Sequence, residues 1–126
     1  MDADEYREYF MEEGCAVLAL ALHERTGYDL AVLFDDGSYD DWGRGSEPTP
    51  AHCFVIDPAN NQAVDGKGRR ELAEIKDDFF DLSEPRIESV DVAVLRALMG
   101  DDRPMYAADA ETWAWAQAAI VELRLR

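Results

Sequence analysis

GCAVLALALHERTG, running from Gly14 to Gly27, is the stretch on which the fold turns. Val17, Leu18, Leu20, Ala21 and Leu22 cover nearly the whole circumference of a helix, so a helix from about Cys15 to Thr26 is expected to be buried on all sides rather than amphipathic. Gly27 sits where a left-handed C′ residue would end it, and Gly14 separates it from an acidic segment upstream. The apolar run from Cys15 to Leu22 falls well short of the ~18 residues that a membrane span requires. It predicts a central core helix.

Working outward, Tyr6, Tyr9, Phe10 and Glu13 recur at helical spacing behind Asp2 or Asp4 as N-cap, which predicts a first helix before Gly14. Tyr28 to Phe34 has strand composition and closes on Asp35-Asp36-Gly37, a turn sequence. Ser38 to Pro50 reads as a loop. His52 to Asp57 and Gln62 to Asp65 form the arms of a hairpin around Pro58-Ala-Asn-Asn61, ended by Gly66-Lys67-Gly68. Glu71 to Phe80 reads as a helix, and Pro85 breaks the chain after it. Ser89 or Asp91 is placed to cap a short helix to Met99, and Asp109 with Glu111 and Thr112 opens a last helix to about Leu125. Helices and antiparallel strands are segregated, so the expected class is α+β: one domain over residues 1–126, with N-terminal helices on a small antiparallel sheet and C-terminal helices after it.

The charge balance narrows the function. Twenty-eight acidic residues against 12 basic ones give a net charge of −16, which repels nucleic acid phosphates and anionic membranes. Neither is an expected partner. A basic protein partner, mimicry of nucleic acid or adaptation to high salt would each suit this charge. The start Met-Asp-Ala-Asp-Glu is unlike a secretory signal, so a cytoplasmic location is expected. Cys15 and Cys53 lack CxxC spacing and read as free thiols rather than as ligands of a zinc ribbon. The acidic segment Asp35-Asp36-Gly-Ser-Tyr39-Asp40-Asp41-Trp42 lacks the alternation and closing Glu of a calcium loop, so neither a metal nor a cofactor is expected. Its Tyr39 and Trp42, set among Asp35, Asp36, Asp40 and Asp41, instead make it the candidate surface for a basic partner.

Cys15, His52 and Asp65 carry the candidate chemistry. A thiol attacks as thiolate, so it needs a base to share its proton and an environment that favours the anion. Cys15 stands at the start of a helix, His52 opens a strand, and Asp65 on the return arm is placed to orient the imidazole. Glu12 and Glu13 oppose the thiolate, which leaves the pairing with His52 to decide its state. Strand alternation puts Cys53 on the face opposite His52, in the core.

Cys at a helix start, His opening a strand and Asp on the next strand is the chain order of the papain-like and transglutaminase-like superfamily. The segments Gly14-Cys15-Ala-Val-Leu-Ala-Leu-Ala-Leu-His23, His52-Cys-Phe-Val55 and Val64-Asp-Gly-Lys-Gly68 resemble small bacterial and phage-type members of it. The resemblance implies a papain-like fold and a thiol hydrolase or acyl transferase acting on an amide of a protein substrate: a peptidase, glutamine deamidase or transglutaminase-like enzyme. Cys15 would be the nucleophile, His52 the proton shuttle and Asp65 the holder of His52. Residues 1–14 contain no Asn or Gln, so the oxyanion role falls to the Cys15 backbone N–H and to Tyr9 or another donor. The competing expectation is a non-catalytic acidic protein, such as a phage-type inhibitor of a basic, nucleic-acid-binding defence complex.

Overall fold

The computed structural model describes residues 2–12, 14–36, 49–79, 81–99 and 110–125. Its elements follow the order α1 (Ala3–Glu12), α2 (Cys15–Thr26), β1 (Asp29–Asp35), β2 (Thr49–Asp57), β3 (Gln62–Asp65), β4 (Gly68–Glu71), α3 (Leu72–Asp78), β5 (Pro85–Ser89), α4 (Val92–Met99) and α5 (Ala110–Glu122). The strands form one antiparallel sheet in the order β4-β3-β2-β1-β5. The class is α+β, with helices ahead of the sheet and after it. No helix among the described residues is long and apolar enough to cross a membrane.

The buried run of α2 from Ala16 to Leu22 lies against one face of the sheet, where Leu30, Val32, Phe34, Cys53, Val55 and Val64 point, and Ala116 and Ala119 of α5 and Leu95 of α4 pack into the same core. The small residues along α5 let it approach α2 closely. The opposite face carries a second, smaller core of Ala31, Leu33, Phe54, Ala63 and Ile75, closed by α3. Because β1 is covered on both faces, Leu30 to Phe34 are all buried, which explains its continuous apolar run.

The helix ends obey local rules. Asp2 caps α1 by accepting from Glu5 N–H at 2.9 Å, and Asp91 caps α4 by accepting from Val94 N–H at 2.8 Å. Gly27 ends α2 at φ 73, where only a residue without Cβ is unstrained, and donates to His23 O. His23 Nδ1 in turn bonds Tyr28 O at 2.7 Å, so His23 serves the end of α2.

Three expectations are corrected. The hairpin does not end at Gly68: Gly68–Glu71 forms β4, a polar edge strand paired with β3. The segment from Pro85 is strand β5, not a break, and it zips onto β1 from Pro85 to Ser89. Proline opens an edge strand without cost because it owes no ladder N–H there. Thr49 and Pro50, assigned to the loop, extend β2 across an irregularity in its pairing with β1.

Candidate active site

The junction between α1 and α2 fixes the position of Cys15. Gly14 is buried, donates to Tyr9 O at 3.0 Å and is the N-cap residue of α2. A Cβ there would meet Tyr9 Cε1 at 2.6 Å and Phe10 Cδ1 at 2.7 Å, so glycine alone allows so sharp a turn between the two helices. Cys15 comes next, at the first position of α2, partly buried.

His52 lies on β2, 1% exposed, on the face that looks toward α3. Its ring stacks on Phe54 at 5.8 Å between centroids and meets Phe79 at 5.2 Å. Asp65 ends β3 on the same face. Its Oδ1 accepts from Lys67 N–H at 2.9 Å, the bond by which an aspartate shapes the turn after it. Its Oδ2 accepts from His52 Nε2 at 2.9 Å. One oxygen of Asp65 thus shapes the turn and the other holds the imidazole. Because an ionised carboxylate only accepts, Nε2 carries the proton, and Nδ1 is the nitrogen left for the thiol. That Nδ1 is buried without a hydrogen-bond partner among the described residues.

Cys15 reaches this ring and one further group. Cys53 is on the opposite face of β2 from His52, as strand alternation requires, yet its thiol and its backbone N–H both interact with Cys15, which also interacts with His52. The pairing of β3 with β2 covers Val55 to Asp57 and does not reach His52 or Cys53.

The electrostatics arise from these contacts. The Cys53 thiol pulls the Cys15 thiol well below the usual range; burial opposes this, and His52 adds to the lowering. Burial would depress His52, but Asp65 and Cys15 together push it up to about 9. Burial likewise acts to raise Asp65, but His52 and Arg70 hold it below the ordinary carboxylate value. Cys53 is pushed well up by Cys15 and by burial, which favours its neutral thiol. Together these shifts favour the thiolate form of Cys15 and the imidazolium form of His52, with the Asp65 carboxylate bonded to the ring.

Beside His52, on which the sequence analysis rested the state of Cys15, Cys53 also lowers this thiol, and its effect comes first. We expect Cys53→Ala to raise the pH midpoint for alkylation of Cys15 while leaving the fold intact, measured by peptide mapping after timed iodoacetamide treatment. An unchanged midpoint would show that the second thiol has no influence.

Of the acidic segment, Asp35 accepts from Glu84 N–H at 2.9 Å, and Asp36 binds Arg86 through Nε at 2.6 Å and Nη2 at 3.2 Å. Both join the end of β1 to β5, so their charges are engaged within the fold. Tyr39, Asp40, Asp41 and Trp42 lie outside the described residues. Among the described residues no group of three or more His, Cys, Asp or Glu is arranged to hold a metal ion. A depression of about 400 Å³ borders the site, with Met11, Glu12, Lys67 and Phe79 in its wall.

The sequence reading missed Phe79, which packs on the imidazole, and Arg70, which binds Asp65. The doublet Arg69-Arg70 was the available signal, since on a strand its two side chains must part to opposite faces. No protein-family model, no curated protein and no solved structure matches the chain.

Proposed function

We propose that the protein is a thiol hydrolase or acyl transferase acting on an amide. The observation that carries this reading is the buried His52 Nε2 to Asp65 Oδ2 bond of 2.9 Å, made by a ring whose Nδ1 is left for Cys15. In this mechanism Nδ1 takes the proton of Cys15, and Sγ attacks the carbonyl carbon of the amide. The negative charge passes to the carbonyl oxygen, for which the Cys15 backbone N–H is the candidate donor. His52 then gives its proton to the departing nitrogen as the C–N bond breaks. A water or an amine attacks the thioester, losing a proton to His52, and restores the thiol. Asp65 holds the ring throughout. Inside the papain-like superfamily this order of groups would serve peptidase, deamidase and transglutaminase chemistry alike.

The acidic-inhibitor reading draws on the net charge of −16 and on the segment around Tyr39 and Trp42. It places no demand on a buried His–Asp pair beside a thiol, and it ranks second. Acetylation by p-nitrophenyl acetate separates the two. A burst of p-nitrophenolate with a 1:1 acetyl adduct on Cys15, absent from Cys15→Ala and retained when Asp40 and Asp41 are both changed to Lys, is the expected result. Asp35 and Asp36 are left alone in that test because they hold β5. No adduct on Cys15 in the parent protein would remove the hydrolase reading.

A further inference from the structure

Arg70 stands on β4 opposite Ala63 of β3, with its side chain 12% exposed on the His52 face. Its Nη2 donates to Asp65 Oδ2 at 2.6 Å, the same oxygen that accepts from His52, and its Nη1 donates to Asp78 Oδ2 at 2.6 Å. Lys67 Nζ also reaches Asp78 Oδ2, at 3.2 Å. The guanidinium is therefore held from outside by a carboxylate of α3 while it grips the carboxylate of the site. Its Nε is buried without a partner among the described residues, so the grip rests on the two terminal nitrogens. Arg69, the preceding residue, faces the other way and binds Asp57 at 2.8 Å and Tyr28 Oη at 3.1 Å.

Resting on the hydrolase reading, we propose that Arg70 is a positioning residue that fixes Asp65 against His52 and decides on which of the two their shared proton resides. In a poorly solvated site a carboxylic acid beside a neutral imidazole competes with a carboxylate beside an imidazolium. A permanent cation on the far side of Asp65 favours the carboxylate, and the proton then stays on the imidazole, where it can support a thiolate. Without Arg70, Asp65 takes the proton or turns away, and Cys15 loses its imidazolium. Lysine would restore the charge but only one of the two contacts.

The test compares the parent protein with Arg70→Met, Arg70→Lys and Arg69→Met. Two readouts are used: the pH profile of Cys15 alkylation by iodoacetamide, followed by peptide mapping, and the ring ¹⁵N signals of His52. With Arg70→Met we expect alkylation at pH 6 to slow by about tenfold, the midpoint to move up and the imidazolium signature of His52 to disappear at neutral pH. Arg70→Lys should recover most of both, and Arg69→Met should match the parent although it removes the same charge from the same strand. An Arg70→Met profile superimposed on the parent, or an equal shift from Arg69→Met, would overturn the proposal. If Arg70→Met does not fold, Arg70→Gln, neutral but able to donate, is read in the same way. If Cys15 in the parent alkylates like an ordinary thiol, the hydrolase reading falls and this proposal with it; an activated Cys15 indifferent to residue 70 sinks the proposal alone.

Discussion

His52→Ala is expected to slow alkylation of Cys15 at pH 6 by tenfold or more and to abolish acetyl transfer from p-nitrophenyl acetate. The variant removes the imidazole that helps hold the Cys15 thiol down, while burial continues to push it up. Each unit by which the midpoint rises lowers the thiolate fraction at acid pH about tenfold, and the greater nucleophilicity of the more basic thiolate recovers about threefold of that. Turnover suffers further, since no other described group is placed to carry the proton to the leaving nitrogen. Cys53 continues to lower Cys15, so some activation should remain in the alkylation assay even when transfer is lost. The separation of the two readouts is itself diagnostic. Full acetyl transfer by His52→Ala would mean that His52 is a packing residue between Phe54 and Phe79.

Asp65→Ala should be the most damaging substitution to the fold outside the apolar core. Asp65 is 2% exposed and compensates two groups at once, the Nε2–H of His52 and the guanidinium of Arg70. Removing one member of such a buried arrangement leaves a charge without its partner and typically costs about 3–5 kcal/mol. Urea unfolding should show the loss as a lower midpoint at unchanged slope. Asp65→Asn keeps an acceptor for His52 and should cost less, but without the carboxylate the His52 pKa should fall from about 9. A loss below about 1 kcal/mol for Asp65→Ala would show that water reaches the site and solvates what the alanine leaves.

Acidification checks the same residue a second way. Asp65 is depressed in the folded protein, so its contribution is present above the unfolded carboxylate value near 3.8 and is lost as pH falls through the folded value. The parent should therefore lose its advantage over Asp65→Asn on acidification below about pH 4. His52 is raised, so its contribution is complete below 6.5 and is lost as pH rises through about 9. The lowered Cys15 shifts protons in the opposite direction over that same window, which makes the acid limb the cleaner of the two.

What could be read from the sequence was what short-range chemistry controls. Two glycines and an all-round apolar run marked α2 from Cys15 to Thr26, because the helix has polar ends and no solvent-facing side to blur its pattern. The hairpin from His52 to Asp65 was legible from its turn, and period-two alternation placed Cys53 opposite His52. β4 and β5 were not legible. Gly68-Arg-Arg-Glu71 is a solvated edge strand with no apolar alternation, and Pro85–Ser89 becomes a strand only because β1, far upstream in sequence, offers it a free edge. Tertiary structure alone decided which groups meet Cys15 and Asp65. Alternation along a strand says which face a side chain takes, but not that His52 and Cys53, on opposite faces of β2, both act on Cys15. Arg70 enters because β4 pairs with β3 in a register that sets it opposite Ala63, two residues before Asp65. Registers and edges arise from the packing of whole elements, and no local pattern in the chain encodes them.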